Sequence, residues 1–333
     1  MKGIRWGIIG CGDVTEKKSG PGFQKADGSE LIAVMRRNGE LAADYARRHG
    51  VPRWYDDADR LIGDPEVDAV YIATPPNSHR EYTLRAAAAG KPVYVEKPMS
   101  LGPEQSAEMI EACRSAGVPL FVAYYRRAMP KYLRLAELIQ AGTIGSVRCV
   151  EATMFQSLRD RDRDPAQRAW RVDPAVSGGG LLLDVGSHAL DLLDLLLGPI
   201  ERSSVVGGAA NLGGAYEAED TVTGIWRHGS GVRGTGLWCF CADRDEDSVT
   251  IIGDRGRLSF SVLDVAAPII VEASTGTGGV SGRTVIEVPP PEHVQQPLIQ
   301  TAVNELCGTG SCPSTGESAL RTDLVMARLR ASE

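Results

Sequence analysis

The chain has 333 residues, 43% hydrophobic and 24% charged, which suits two folded domains with ordinary cores and is not the composition of a disordered protein. Its 36 basic and 43 acidic side chains leave a formal charge of −7, and no basic run offers a surface to nucleic acid or an anionic membrane. Apolar runs such as 181–183 and 192–197 are too short to span a bilayer.

Taken in chain order, residues 1–123 alternate short apolar runs (5–9, 31–35, 69–73, 92–95, 120–123) with helical stretches (41–49, 78–89, 103–116). That rhythm predicts a parallel sheet with crossover helices. Gly50, Gly90 and Gly117 stand where those helices stop, and Pro103 suits a first helical turn. The run after Met1-Lys2-Gly3 reads as a strand with no signal peptide, and seven cysteines without framework spacing read as reduced thiols, so a cytoplasmic protein is expected. Residues 124–333 read differently: a helix over 129–140, a long strand over 147–155, a charged loop, one apolar helix over 180–197, then strand-like runs to 288 and a closing helix after Gly316. The expected fold class is therefore α/β followed by α+β: a Rossmann-type parallel-sheet domain (1–123) and a substrate, catalytic and oligomerisation domain (124–333) with a large, mostly antiparallel open-faced sheet.

Gly10-Cys11-Gly12-Asp13-Val14 follows the first strand directly. Paired glycines there allow a tight strand-to-helix turn and let bare backbone approach a pyrophosphate at the helix N-terminus. Thr15 replaces the third glycine of the dinucleotide fingerprint, and Gly20-Pro21-Gly22 predicts a broken first helix with looser packing. The second strand runs into Arg36 and Arg37 where an acidic residue would accept from the ribose hydroxyls. Two guanidiniums suit a 2′-phosphate, which favours NADP(H), with NAD(H) as the alternative.

Glu96-Lys97-Pro98 ends a buried strand, at the edge where open α/β sheets bind ligands. Asp184, His188 and Asp191 fall at i, i+4 and i+7 of an otherwise apolar helix, a polar stripe that is costly unless it is paired or lines a site. A metal there is not expected. Cys239 and Cys241 share one face of a strand, too few ligands for zinc. His49, His228 and His293 read as structural, and the aromatics of 226–240 as sheet packing. The alternating Arg159–Asp164 charges read as a solvated loop, with a lid over the site as the second reading.

Gly10-Cys11-Gly12, Thr74-Pro75-Pro76-Asn77-Ser78-His79, Glu96-Lys97-Pro98, Trp170-Arg171 and the helix bearing Asp184 and His188 occur in one order, and together the chain resembles the Gfo/Idh/MocA oxidoreductases. The resemblance implies that Lys97, Asp184 and His188 are the catalytic trio. It also implies that Thr74, Pro75, Asn77, His79, Glu96 and Lys97 line the cofactor with Gly10, Gly12, Asp13, Val14, Arg36 and Arg37, and that Trp170 and Arg171 approach its nicotinamide half. Tyr125-Arg126-Arg127 stands where the family often has Asn-Arg-Arg, which leaves Arg126 and Arg127 on the substrate side and hints at an unusual substrate. The function so implied is hydride transfer between NAD(P) and a secondary alcohol or carbonyl of a sugar, polyol or related cyclic alcohol, by a homodimer or homotetramer. The alternatives are an NAD-assisted glycoside hydrolase and a non-catalytic dinucleotide or sugar sensor.

Overall fold

The computed structural model describes residues 3–331 except 165, 167, 168 and 275–279, and of 280 and 281 the backbone alone. Met1 and Lys2, with which the expectation of no leader begins, lie outside the described residues. The chain divides into two compact units, Met1–Met129 with Pro291–Leu320, and Pro130–Pro290 with Arg321–Glu333.

In the first unit, strands β1 (Ile4–Ile9), β2 (Ser29–Met35), β3 (Arg53–Tyr55), β4 (Ala69–Ile72), β5 (Val93–Val95) and β6 (Leu120–Val122) form a parallel sheet of order β3-β2-β1-β4-β5-β6. Its central strands are apolar runs with little exposure, as expected of a sheet covered on both faces. The crossover helices Gly39–His49, His79–Ala88 and Pro103–Ser115 cover it. Asn38 starts the first of these by accepting from Leu41 N–H, and Gly50 ends it at φ 65°. Strand order reverses at β1 and β4, so the chain leaves both into one crevice.

Three features here differ from the sequence reading. The three-residue edge strand β3 is only half-buried and carries no strong apolar run. Pro21 does interrupt the first helix, but it opens a second one, Gly20–Lys25, and Thr15 is fully buried with its hydroxyl on Gly12 O at 2.7 Å, so the packing stays close. The division also falls elsewhere than at residue 123, because 291–320 return to the first unit. Ser314 O accepts from Val122 N–H at 3.1 Å and its Oγ donates to Val122 O at 2.6 Å, while Gln300 Oε1 accepts from Asp27 N–H at 2.7 Å. Such long-range pairing leaves no local signal.

The second unit is built on eight strands: β7 (Val147–Ser157), β8 (Val206–Ala210), β9 (Thr221–Arg227), β10 (Arg233–Ala242), β11 (Glu246–Gly253), β12 (Gly256–Phe260), β13 (Ile269–Ser274) and β14 (Val280–Ile286). Their order is β14-β13-β12-β11-β7-β10-β9-β8, antiparallel throughout except for the β7–β10 pair. Burial alternates along β10, with Trp238 inward against Trp226 at 6.3 Å between ring centroids. The predicted aromatic sheet packing is thus present. His228 is buried beside them, accepting from Trp226 Nε1 and donating from Nδ1 to Gly198 O.

Candidate functional site

In the first unit the glycine turn is built as its sequence requires. Gly10 has φ 91°, and a Cβ there would meet Thr74 Cγ2 at 2.7 Å, so the position demands glycine. At Gly12 the space a Cβ would fill is open, with only Gly10 O within 4 Å. The helix Asp13–Lys17 starts there, and its first-turn N–H groups, Asp13 and Val14 among them, have no intrahelical acceptor by position. Arg36 and Arg37 follow β2, both exposed, and among the described residues neither guanidinium has an ion-pair partner. Arg36 is close enough to Cys11 for its charge to act on the thiol. These residues fit a dinucleotide: backbone donors for the pyrophosphate and free cations beside the strand-end position.

The loop after β4 packs against the same turn. Thr74 touches Gly10 and takes a hydrogen bond from Ser78 Oγ at 2.8 Å, while Pro75 and Asn77 are exposed. His79 is not an exposed cofactor contact. It is fully buried, with Nε2 2.7 Å from Thr74 O and Nδ1 3.0 Å from Pro98 O, and burial pushes its imidazole below the usual range. It therefore ties the loop after β4 to the turn after Lys97. Glu96 is likewise interior rather than cofactor-facing. Its Oε1 accepts from Tyr71 Oη at 2.7 Å and Gln295 Nε2 at 2.8 Å, and its Oε2 accepts from Lys97 N–H at 3.2 Å. Lys97 itself is partly exposed at the end of β5. Tyr71 and Gln295 were missed by sequence reasoning; Gln295 lies 199 positions from Glu96, and no spacing could have found it.

In the second unit, Leu182–Gly186 form a π-helical turn that continues as the α-helix Ser187–Leu197, where a single regular helix was expected. Such turns concentrate at functional sites. Asp184 lies in the π turn and His188 in the first α turn, with His188 5% exposed and Asp191 1%. Arg171 Nε is 3.1 Å from Asp184 Oδ2, and the Arg171 guanidinium stacks 4.6 Å from the Trp170 ring centroid. Asp194, further along, is held bidentately by Arg321 at 2.7 and 2.8 Å. Asp184 and His188 thus put a carboxylate and an imidazole, groups suited to proton management, on consecutive turns of one largely buried element.

Arg126 and Arg127, in the first unit, are each 3% exposed; Arg126 lies 4.8 Å from the Tyr125 ring centroid, and Arg127 donates to Pro313 O at 3.3 Å. Residues Asp160–Arg163 of the charged segment form one helical turn. Among the described residues no group of three His, Cys, Asp or Glu could hold a metal ion, and no helix is long and apolar enough to cross a membrane.

Residues 4–124 match the Gfo/Idh/MocA oxidoreductase family, NAD-binding Rossmann fold, and residues 132–259 match the C-terminal domain of the same family. The chain is 39% identical over 326 residues to an oxidoreductase of Formosa agariphila, covering 97% of each. It is 29% identical over 336 residues to a 1,5-anhydro-D-fructose reductase of Ensifer adhaerens, covering 98% of this chain and 96% of the relative. Among solved structures, an aldose-aldose oxidoreductase from Caulobacter crescentus complexed with glycerol aligns with a TM-score of 0.85 at 24% identity, covering 98% of this chain and 96% of that one. A levoglucosan dehydrogenase in complex with NADH and levoglucosan aligns at 0.84 and 22% identity, with the same coverage. At those identities the structures speak to the fold alone.

Proposed function

The chain belongs to the Gfo/Idh/MocA family of NAD-binding oxidoreductases, and from that premise we propose that it moves hydride between NADP(H) and a secondary-alcohol carbon of a sugar, polyol or related cyclic alcohol. The observation that carries this reading is the buried His188 on the element whose π turn bears the Arg171-held Asp184. A bound nicotinamide would supply the hydride acceptor or donor. His188 takes the proton from the substrate hydroxyl during oxidation and returns it during reduction. Asp184 orients the imidazole and binds substrate, and Lys97 holds the reacting oxygen. Gly10, Gly12, Asp13, Val14, Thr74, Pro75 and Asn77 hold the dinucleotide, Trp170 and Arg171 approach its nicotinamide half, and Arg126 and Arg127 complete the substrate side.

Arg36 and Arg37, without an ion-pair partner among the described residues, support NADP(H) over NAD(H). The anhydrofructose reductase among the relatives supports a cyclic sugar derivative as substrate. One face of the second sheet carries the exposed Val206, Ile225, Leu237 and Val285. Covering those side chains in a homodimer or homotetramer is part of the same reading, as is a cytoplasmic location.

A panel of sugars, anhydrosugars and polyols incubated with NADP, followed by NADPH absorbance, tests the reading. Net NADPH formation with at least one cyclic alcohol supports it. Tight dinucleotide binding with no turnover in either direction across the panel sinks it.

A further inference from the structure

Outside the candidate site, β10 carries two thiols that the proposed reaction does not use. Cys239 and Cys241 are both partly exposed, and their Sγ atoms lie 3.8 Å apart. Thr221 Oγ1 touches both, at 3.7 and 3.8 Å. Side chains at i and i+2 share a face of any strand, but here the β7–β10 register also slips between Cys239 and Ala242. The pair is held at the contact distance of two unbonded sulfurs.

We infer that Cys239 and Cys241 are a redox-active dithiol that closes to an intrastrand disulfide and thereby loosens the loop supporting the Arg171–Asp184 pair. Burial pushes the Cys241 thiol up to about 11, which disfavours it as the first attacking group. Cys239 Sγ displaces one thiolate from a low-molecular-weight disulfide, forming a mixed disulfide. Cys241, giving up its proton to water, then attacks Cys239 Sγ and expels the second thiolate. The balance is two protein thiols plus one external disulfide, giving one protein disulfide and two external thiols.

The consequence follows from what surrounds the pair. A disulfide requires a sulfur separation near 2.05 Å, so the atoms must close by about 1.8 Å. Phe240, between the two cysteines, donates its N–H to Asp220 O at 2.7 Å. The Asp220 carboxylate in turn holds the loop over the thiols, accepting from Leu212 N–H at 3.0 Å and Gly213 N–H at 2.7 Å. Gly213 lies so near that a Cβ on it would meet Cys241 Cβ at 2.8 Å. A shift at Cys241 therefore pushes directly on this loop. Further along, Tyr216 and Ala218 form a small apolar cluster with Val172, and Leu181 packs against it. Val172 adjoins Arg171, and Leu181 lies one position before the π turn that carries Asp184. The disulfide thus acts on the acid–base pair through packed neighbours without touching it.

The test uses the full-length protein, reduced, desalted and incubated with oxidised glutathione. The expected result is a tryptic peptide containing both cysteines that has lost two hydrogens, with several-fold faster cleavage at Leu212 or Tyr216 by a protease cutting after leucine and tyrosine. Both changes reverse with dithiothreitol, and neither occurs in Cys239→Ser or Cys241→Ala. Glutathione adducts alone, linkage to another cysteine, or two thiols that stay reduced overturn the proposal, as does unchanged loop cleavage after the disulfide has formed. The peptide mass in the wild-type chain decides the linkage even where a variant folds poorly. These readouts need no substrate, so they stand apart from the proposed hydride transfer; where turnover is available, it falls several-fold on oxidation and returns on reduction.

Discussion

Arg171 Nε lies 3.1 Å from Asp184 Oδ2, joining a half-exposed guanidinium to a carboxylate whose side chain is 14% exposed. The pair crosses from the short turn Trp170–Val172 to the π turn Leu182–Gly186, so it fixes the direction of Asp184 at the point where helical hydrogen bonding changes. A carboxylate this enclosed keeps its geometry only while its partner remains. Replacing Arg171 with Ala is expected to lower kcat about tenfold, the effect of ~1.4 kcal/mol, through a less well-oriented Asp184. Arg171→Lys keeps the charge without the planar fork and restores part of that loss. Steady-state kinetics on both variants checks this, and an alanine variant with wild-type kcat removes Arg171 from the site.

His188 is the group assigned to the proton. Removing a positioned acid–base side chain costs roughly 10²–10⁴-fold in turnover. His188→Ala is expected to lose turnover on that scale, and Lys97→Ala to collapse it too, while each binds NADPH about as tightly as the parent, since neither supplies the glycine turn. Nicotinamide fluorescence titration beside initial rates separates the two effects. Near wild-type turnover in both variants would overturn the catalytic assignment.

Arg36 and Arg37 have no ion-pair partner among the described residues, so a 2′-phosphate finds them uncommitted. A hydrogen bond to a charged group contributes about 1.5–3 kcal/mol. Arg36→Ala or Arg37→Ala is therefore expected to weaken NADPH binding by roughly ten- to a hundredfold and to leave NADH affinity nearly unchanged. The titration is run at fixed ionic strength because salt screens exposed charges. If NADH binds better than NADPH to the parent protein, the cofactor preference is wrong while the fold assignment stands.

These three tests rest on residues with different legibility. Gly10 was readable because only a turn with positive φ explains a glycine pair directly after a buried strand. Asp184 and His188 were readable because ionisable side chains on an apolar helix stand out against the 3.6-residue period. The π turn beneath them was not, since an extra residue per turn leaves no mark in composition. Glu96 was found, but its environment was misread: Tyr71 and Gln295, which hold it, come from a neighbouring strand and a returning segment far along the chain. His79 was placed against the cofactor because its motif adjoins Thr74, yet its ring turns inward to three backbone carbonyls. Strand β8, rich in glycine, and the three-residue β3 were missed because neither carries a run of branched or aromatic side chains.

The Glu96 network yields a test of its own. Tyr71 is fully buried, burial pushes its phenol well above the usual range, and it donates to a carboxylate that is itself 8% exposed. Tyr71→Phe keeps the ring and deletes one of three donors to Glu96, leaving a buried anion under-satisfied. The expected cost is ~1–3 kcal/mol of stability, read as a lower urea midpoint with an unchanged slope. A midpoint equal to the parent's shows that the remaining donors, Gln295 and Lys97 N–H, suffice.

Acid sensitivity follows from a neighbouring cluster. Arg48 grips Glu16 with two nitrogens at 2.7 and 2.8 Å, and His49 Nε2 adds a contact at 2.7 Å. The Arg48 hydrogen bonds, ahead of His49, lower the Glu16 carboxyl from 4.5 to about 2. A carboxyl lowered in the folded state stabilises the fold above its unfolded value, and that contribution is lost as pH falls through the folded value. Here the loss runs from about pH 4.5 to about pH 2. The Glu16 side chain is 33% exposed, so solvent screening holds the contribution to about 1 kcal/mol or less. Glu16→Gln is expected to lower Tm at pH 7, with the gap from the parent narrowing across that window as the parent's carboxylate takes up its proton. Paired thermal melts from pH 7 to pH 2 check the sign. A gap as wide at pH 2 as at pH 7 would assign the effect of the substitution to lost packing rather than to the Arg48–Glu16 charge pair.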